Sequence, residues 1–268
     1  MDRMLIFFDI DGTLIDEETH LMPESAREAI EQARKAGHIC VINTGRSKKL
    51  VDADIDKLEG FDGMLMGCGT MIVYHGEVLL HKTFSKRETE LMIEGLRKYR
   101  IDACLEGAEN NYVDAPERMH NECWKEFASG FAHLHYGTFE DAPGHCDKFY
   151  CYAGDKERMD LFMAEYGHNL EYVDRKKGFF EVMPKGYSKA SAMDTLADLL
   201  GIPLEETAAI GDSSNDIPMI AHAHIGIAMG NASADVREIA DYVASELQKD
   251  GIADALHFLG AAESPSCR

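Results

Sequence analysis

The chain has 268 residues, 45% of them hydrophobic, and a formal net charge of -21 at pH 7. That apolar content supports a packed core rather than disorder, and the length suffices for one large domain or two of ordinary size. The acidic balance leaves no basic footprint for nucleic acid and disfavours an anionic membrane surface; an anionic ligand would need a local cation, a metal ion or oriented backbone amides.

The opening "MDRMLIFFDID" does not read as a signal peptide, because its apolar run stops at Asp9. No stretch approaches the roughly 18 apolar residues of a membrane span. Seven cysteines are scattered without a C-x-x-C pair, which predicts reduced thiols in the cytoplasm, each a small buried hydrophobe.

In chain order, "MLIFFD" is a short apolar run that predicts a strand buried on both faces. "PESAREAIEQARKAG" has helical spacing, with Pro23 near its start and Gly37 as a stop. "HICVIN" predicts a second buried strand, "KKLVDADIDKLEG" a helix and "DGMLMGCG" a third strand. This alternation predicts a parallel sheet covered by helices. "MIVYHGEVLLHKTF" reads as a hairpin turning near His75-Gly76, and Ser85 with Glu88 form a capping-box pattern before the next helix.

From there to about Met183 the pattern is less hydrophobic. Short strands ("DKFYCYAG", "GFFEVM") mix with a helix ("KERMDLFMAEYG"), as in an α+β insertion. Helix signals return with Ser188 as N-cap, and "ETAAIGDSSNDIPMI", "HIGIAMGNASADVREIA" and "DYVASELQKDGIADALHFLG" resume strand-helix alternation. The expected layout is an α/β core from residues 1–81 and 184–268, with an inserted domain at 82–183. The tail "SPSCR" is expected to fray.

Candidate chemistry lies at the predicted strand ends. Asp9 and Asp11 are two apart, a spacing that in a strand puts both side chains on one side. Asp11-Gly12 alone could be only a turn, but Asp9 ends a buried strand, where ligands bind in open α/β sheets. "NTGR" offers the Thr44 hydroxyl, turn amides at Gly45 and the Arg46 guanidinium; a polar surface turn is the plainer reading. Lys189 opens a helix, where its charge opposes the dipole unless an anion is present; the plainer reading is an exposed lysine. Asp212 ends another strand. Asp216 begins a helix and could simply stabilise its N-terminus.

Taken together, Asp9, Asp11 and Asp212 can supply oxygen ligands to one hard cation such as Mg²⁺. Such an ion would relieve carboxylate repulsion and let this acidic protein accept a phosphate, with Thr44, Lys189 and Asn215 near its other oxygens.

"DIDGTL", "NTGR", "KGYSKASAM" and "GDSSNDIPM", in that order, resemble the four motifs of the haloacid dehalogenase superfamily. The long insertion between the second and third resembles the cap of its Cof-type phosphatases. The resemblance implies a Rossmann-like core and Mg²⁺-dependent phosphoryl transfer. It implies Asp9 as nucleophile, Asp11 as general acid and base, and Thr44 and Lys189 as phosphoryl-binding residues with Asn215 nearby. It makes Asp212 a metal ligand and Asp216 a supporting residue. It also implies that Asp11 approaches the metal through its backbone carbonyl. The Ser213-Ser214 pair departs from many relatives and is expected to alter only the loop.

The second aspartate favours phosphoryl transfer over dehalogenation. The expectation is a cytoplasmic phosphatase for small phosphomonoesters: sugar phosphates first, then nucleotides or flavin mononucleotide. A phosphomutase is the alternative, and a non-catalytic phospholigand sensor a more remote one. His133 and His135, two apart, lack a third metal ligand, and His222 and His224 read as equally plain. Trp124 and Phe127 either pack the insertion or touch substrate.

Overall fold

The computed structural model describes residues 3–16, 18–52, 58–122, 124–125 and 136–263. The chain divides into two compact units. One comprises Met1–Gly45, Asp54–Leu80 and Ser188–Arg268; the other comprises Arg46–Ala53 and His81–Tyr187.

The first unit is built on the apolar runs. β1 (Leu5–Phe8), β2 (Ile39–Asn43) and β12 (Thr207–Gly211) are buried at every position, as strands covered on both faces must be. They join β3 (Gly63–Met66), β4 (Met71–Tyr74), β5 (Glu77–His81), β13 (Ile225–Ala228) and β14 (Tyr242–Val243) in an eight-stranded sheet of order β14-β13-β12-β1-β2-β3-β4-β5. β1 pairs in parallel with β12 on one side, Phe8 opposite Ile210, and with β2 on the other, Phe8 opposite Ile42. β4 runs antiparallel to β3.

The chain leaves β1 toward β2 and later leaves β12 toward β13, so the winding reverses between β1 and β12. Open α/β sheets bind ligands at such a point, outside the carboxyl ends of the strands. Helices cover the sheet: α1 (Glu24–Lys35) with buried Ala26, Ala29, Ile30 and Ala33 at helical spacing, and later in the chain α5 (Lys189–Leu200). Ala192, Met193 and Leu196 of α5 pack with Leu5, Phe7, Val41 and Ala209.

The second unit has its own sheet and core. β6 (Asp102–Glu106), β7 (Asn111–Val113), β8 (Gly137–Thr138), β9 (Lys148–Tyr152), β10 (Leu170–Asp174) and β11 (Phe179–Pro184) lie in the order β10-β11-β9-β6-β7-β8. All neighbours are antiparallel except the β7–β8 pair. Leu105, Phe149, Cys151, Phe180 and Val182 share a core with Met92, Ile93 and Leu96 of α3 (Lys86–Lys98) and with Met159 and Phe162 of α4 (Lys156–Tyr166). The Ser85–Glu88 capping box is present in both directions.

Of the segment expected as one helix over "KKLVDADIDKLEG", Lys48–Asp52 is helical (α2), residues 53–57 lie outside the described residues, and Leu58–Gly60 form a bend and turn instead of helix. The five described cysteines are all buried. Burial pushes the thiols of Cys40 and Cys146 up to about 12, so they behave as small hydrophobes. His133, His135 and Phe127 lie outside the described residues. Trp124 is buried, its ring 6.5 Å from that of Tyr150, and His222 pairs with Asp194 at 2.6 Å. Among the described residues no helix is long and apolar enough to cross a membrane.

Candidate active site

The parallel register brings the strand-end carboxylates together. Asp9 follows β1, and its N–H continues the ladder to the Ile210 carbonyl at 3.0 Å. Asp212 follows β12, the neighbouring strand. Both carboxylates therefore emerge at the same sheet edge. Asp9, Asp212 and Asp216 each offer an oxygen within 4.8 Å of the others.

Lys189 is the first residue of α5, behind the Ser188 N-cap. Its side chain is 1% exposed rather than solvated. Its Nζ lies 2.6 Å from Asp9 Oδ1 and also contacts Asp216 Oδ1. Asp216 precedes the helix Ile217–His222 (α6) yet makes no capping bond to it. Its Oδ2 instead accepts from the backbone N–H groups of Asp212 and Ser213, both at 2.9 Å. It ties the Asp212 loop to the Lys189 ammonium.

Asp11 is not among the three clustered carboxylates. The strand ends at Phe8, and the Ile10 carbonyl then accepts from the N–H groups of Thr13, Leu14 and Ile15. The chain is turning by Asp11, so the two-residue alternation of a strand no longer relates it to Asp9. Asp11 is half-buried, and its charge still reaches Asp9.

Burial pushes the Asp9 carboxyl up to about 7, with Asp216 and Asp11 adding to the push and Lys189 opposing it. Burial likewise raises Asp212 to about 8, helped by Asp9 and Asp216. For Lys189 burial works against the charge, but Asp216 and Asp9 outweigh it and raise the ammonium above the ordinary lysine value. Three carboxylates against one ammonium leave a formal charge of minus two. The donors are all carboxylate oxygens, which suits a hard divalent cation. Asp216 is engaged through both its oxygens, so Asp9 and Asp212 are the fitting ligands.

Thr44 and Gly45 are buried directly after β2, and Asn215 is half-buried in the loop after β12. All three belong to the first unit, whereas Arg46 belongs to the second. Several participants were not singled out from the sequence. Thr13 Oγ1 donates to Asp212 Oδ1 at 3.0 Å. Asn231 Nδ2 donates to the Gly12 carbonyl at 2.7 Å, and its Oδ1 accepts from Leu247 N at 3.0 Å. Asn43 Nδ2 donates to the Lys189 carbonyl at 2.9 Å. Thr13 and Asn43 lie within quoted motifs, and Asn231 follows β13 at the same sheet edge, so position at a strand end was the available signal.

The model of the haloacid dehalogenase-like hydrolase family matches residues 6–256. YkrA of Bacillus subtilis (strain 168) is 30% identical over 277 residues, covering 97% of this chain and 99% of its own. YcsE of the same organism, a 5-amino-6-(5-phospho-D-ribitylamino)uracil phosphatase, is 29% identical over 259 residues, covering 96% of this chain and 95% of its own. A solved sugar phosphatase of haloacid dehalogenase subclass IIB superposes with a TM-score of 0.82 at 31% identity, covering 96% of this chain and 99% of that one. The chain belongs to the haloacid dehalogenase-like hydrolases and, among them, to the phosphatases.

Proposed function

We propose that the protein is a Mg²⁺-dependent phosphatase that hydrolyses small phosphomonoesters through an aspartyl-phosphate on Asp9. The observation that carries this reading is the cluster of Asp9, Asp212 and Asp216 around Lys189, three carboxyl groups to one ammonium. Asp9 and Asp212 would hold the ion, together with the Asp11 backbone carbonyl. When bound, the ion supplies positive charge to the transferring phosphoryl oxygens.

Asp9 acts as the nucleophile. Lys189 contacts Oδ1, and its ammonium stabilises charge developing on the phosphoryl group as a carboxylate oxygen of Asp9 attacks phosphorus. Asp11 gives its proton to the leaving oxygen. It then removes a proton from the water that attacks the phosphorus of the aspartyl-phosphate, restoring Asp9. Thr44, Gly45 and Asn215 hold phosphoryl oxygens, and Asp216 keeps Lys189 and the Asp212 loop in place.

Sugar phosphates are the first substrate class, because a 31%-identical structural relative is a sugar phosphatase. Nucleotides and flavin mononucleotide follow, and the ribityl phosphate named for YcsE makes polyol phosphates a natural inclusion. Substrate choice is assigned to the inserted unit.

Phosphate release should be measured across a panel of phosphorylated metabolites, with Mg²⁺ and after chelation. The expected result is release from a subset of small esters, abolished by chelator and restored by Mg²⁺. Full turnover by metal-stripped protein would overturn the mechanism.

A further inference from the structure

Asn43 is the last residue of β2, and its side chain is fully buried. Its carboxamide donates from Nδ2 to the Lys189 backbone carbonyl at 2.9 Å. Only the amide end can donate to a carbonyl, so this bond fixes the orientation of the group. Asn43 Oδ1 has no hydrogen-bond partner among the described residues. A buried acceptor in that condition is costly. Were the position needed only for packing, an apolar side chain would fill it at lower cost.

The bond reaches a residue that needs positioning. Lys189 carries its ammonium on a flexible four-carbon stem at a helix start whose dipole disfavours it. Three contacts fix the base of that stem. The capping box of Ser188 and Ser191 closes the first turn of α5. Gly69, at φ +91°, lets the neighbouring loop approach: a Cβ there would stand 2.7 Å from the Ser188 carbonyl oxygen and 2.9 Å from Ala192 Cβ. Asn43 supplies a directional bond from the sheet to Lys189 itself. Its own backbone is held in register opposite Leu65 of β3, so the donor stands on a rigid element.

We propose that Asn43 is a positioning residue for Lys189. Its amide holds the lysine backbone so that Nζ sits between Asp9 and Asp216, and without it the ammonium no longer meets both carboxylates. This rests on the reading of Lys189 as a phosphoryl-stabilising group.

The test pairs Asn43→Leu with Asn43→Ala and a Lys189→Met reference. It measures kcat on a phosphomonoester well below each unfolding midpoint, and the NMR signal of the Lys189 ammonium, assigned by its loss in Lys189→Met. Small misplacements in an active site cost up to about 100-fold in rate, so kcat per folded molecule should fall by about 10- to 100-fold in both variants. Asn43→Leu should nevertheless unfold no earlier than Asn43→Ala, and the ammonium signal should shift or broaden. A purely structural role would lower the midpoint while leaving kcat and the signal alone, and that result overturns the proposal. If Lys189→Met is itself fully active, the reading of the site fails instead. The ammonium signal alone then decides: a shift in Asn43→Leu upholds the positioning role and an unchanged signal refutes it.

Discussion

Asp216 stands where a helix-capping carboxylate is expected, yet its bonds go to the preceding loop and to Lys189. Lysine at a helix start would ordinarily be solvated, and here it is the most deeply enclosed cation of the site. The two facts explain each other: the ammonium is tolerable inside because Asp9 and Asp216 meet it, and Asp216 is kept from capping because it is already engaged. Gly12 makes the same point sterically. It sits at φ +75°, and a Cβ there would stand 2.4 Å from Asp212 Oδ2. Gly12→Ala should therefore cost about 1–3 kcal/mol through backbone strain alone. It should also turn Asp212 aside, raising the Mg²⁺ concentration for half-maximal activity, which a metal titration reads. A variant with wild-type metal dependence would refute the close approach.

Asp16, half-buried at the end of the same stretch, is held down to about 2 by the Thr19 backbone N–H, and by Gln248 and the Glu18 N–H. Its folded value lies below the ordinary 3.8, so its stabilising contribution is present above that value and disappears as pH falls toward 2. Asp16→Asn should flatten the acid limb of the stability curve between about pH 4 and 2, as followed by denaturant midpoints. An unchanged limb would remove Asp16 from the account.

At the scale of elements, apolar runs and punctuation revealed the core strands, because β1, β2 and β12 are buried at every position. Their order was not legible. β1 lies beside β12, some two hundred residues away in sequence, and it is this neighbourhood that gathers Asp9 and Asp212. The placement of Asp11 was not legible either, since it depends on the strand ending at Phe8. In the inserted segment, β6 escaped the apolar reading because it buries Asp102 and Glu106. Their partners are remote: Asp102 accepts from the N–H groups of His120 and Asn121, and Glu106 pairs with Lys148 at 2.7 Å. Lys148 also pairs with Glu181 across the sheet, with all three side chains under 9% exposed. Removing one partner of a buried ion cluster costs roughly 3–5 kcal/mol. Lys148→Met should destabilise the protein by that order in chemical denaturation, and adding Glu106→Gln should recover part of it. No recovery would show that repulsion between the carboxylates is not the cause.

For the whole molecule, a net charge of -21 and an anionic substrate are compatible only if positive charge is concentrated where the substrate binds. Lys189 is one such source, and the proposed divalent ion would be the other. Stripped protein should regain stability as Mg²⁺ is added, because an ion that binds only the folded state raises the midpoint with its concentration; Asp212→Ala should lose most of that rise. The four motifs disclosed the family, and they carry the residues proposed for the site. The partners of the supporting residues Thr13, Asn43 and Asn231 emerged only from the fold.

The central claim is that Asp9 carries the phosphoryl group and Asp11 moves the protons. Rapid-quench kinetics of Asp11→Asn with p-nitrophenyl phosphate tests it most directly. That leaving group needs little protonation, whereas water still needs a base, and lost acid-base catalysis is typically about 10²–10⁴-fold. The prediction is a burst close to one nitrophenol per active site followed by slow turnover, with phosphate retained on Asp9 and no burst in Asp9→Asn. A burst that survives in Asp9→Asn, or wild-type steady turnover of a sugar phosphate by Asp11→Asn, would contradict it.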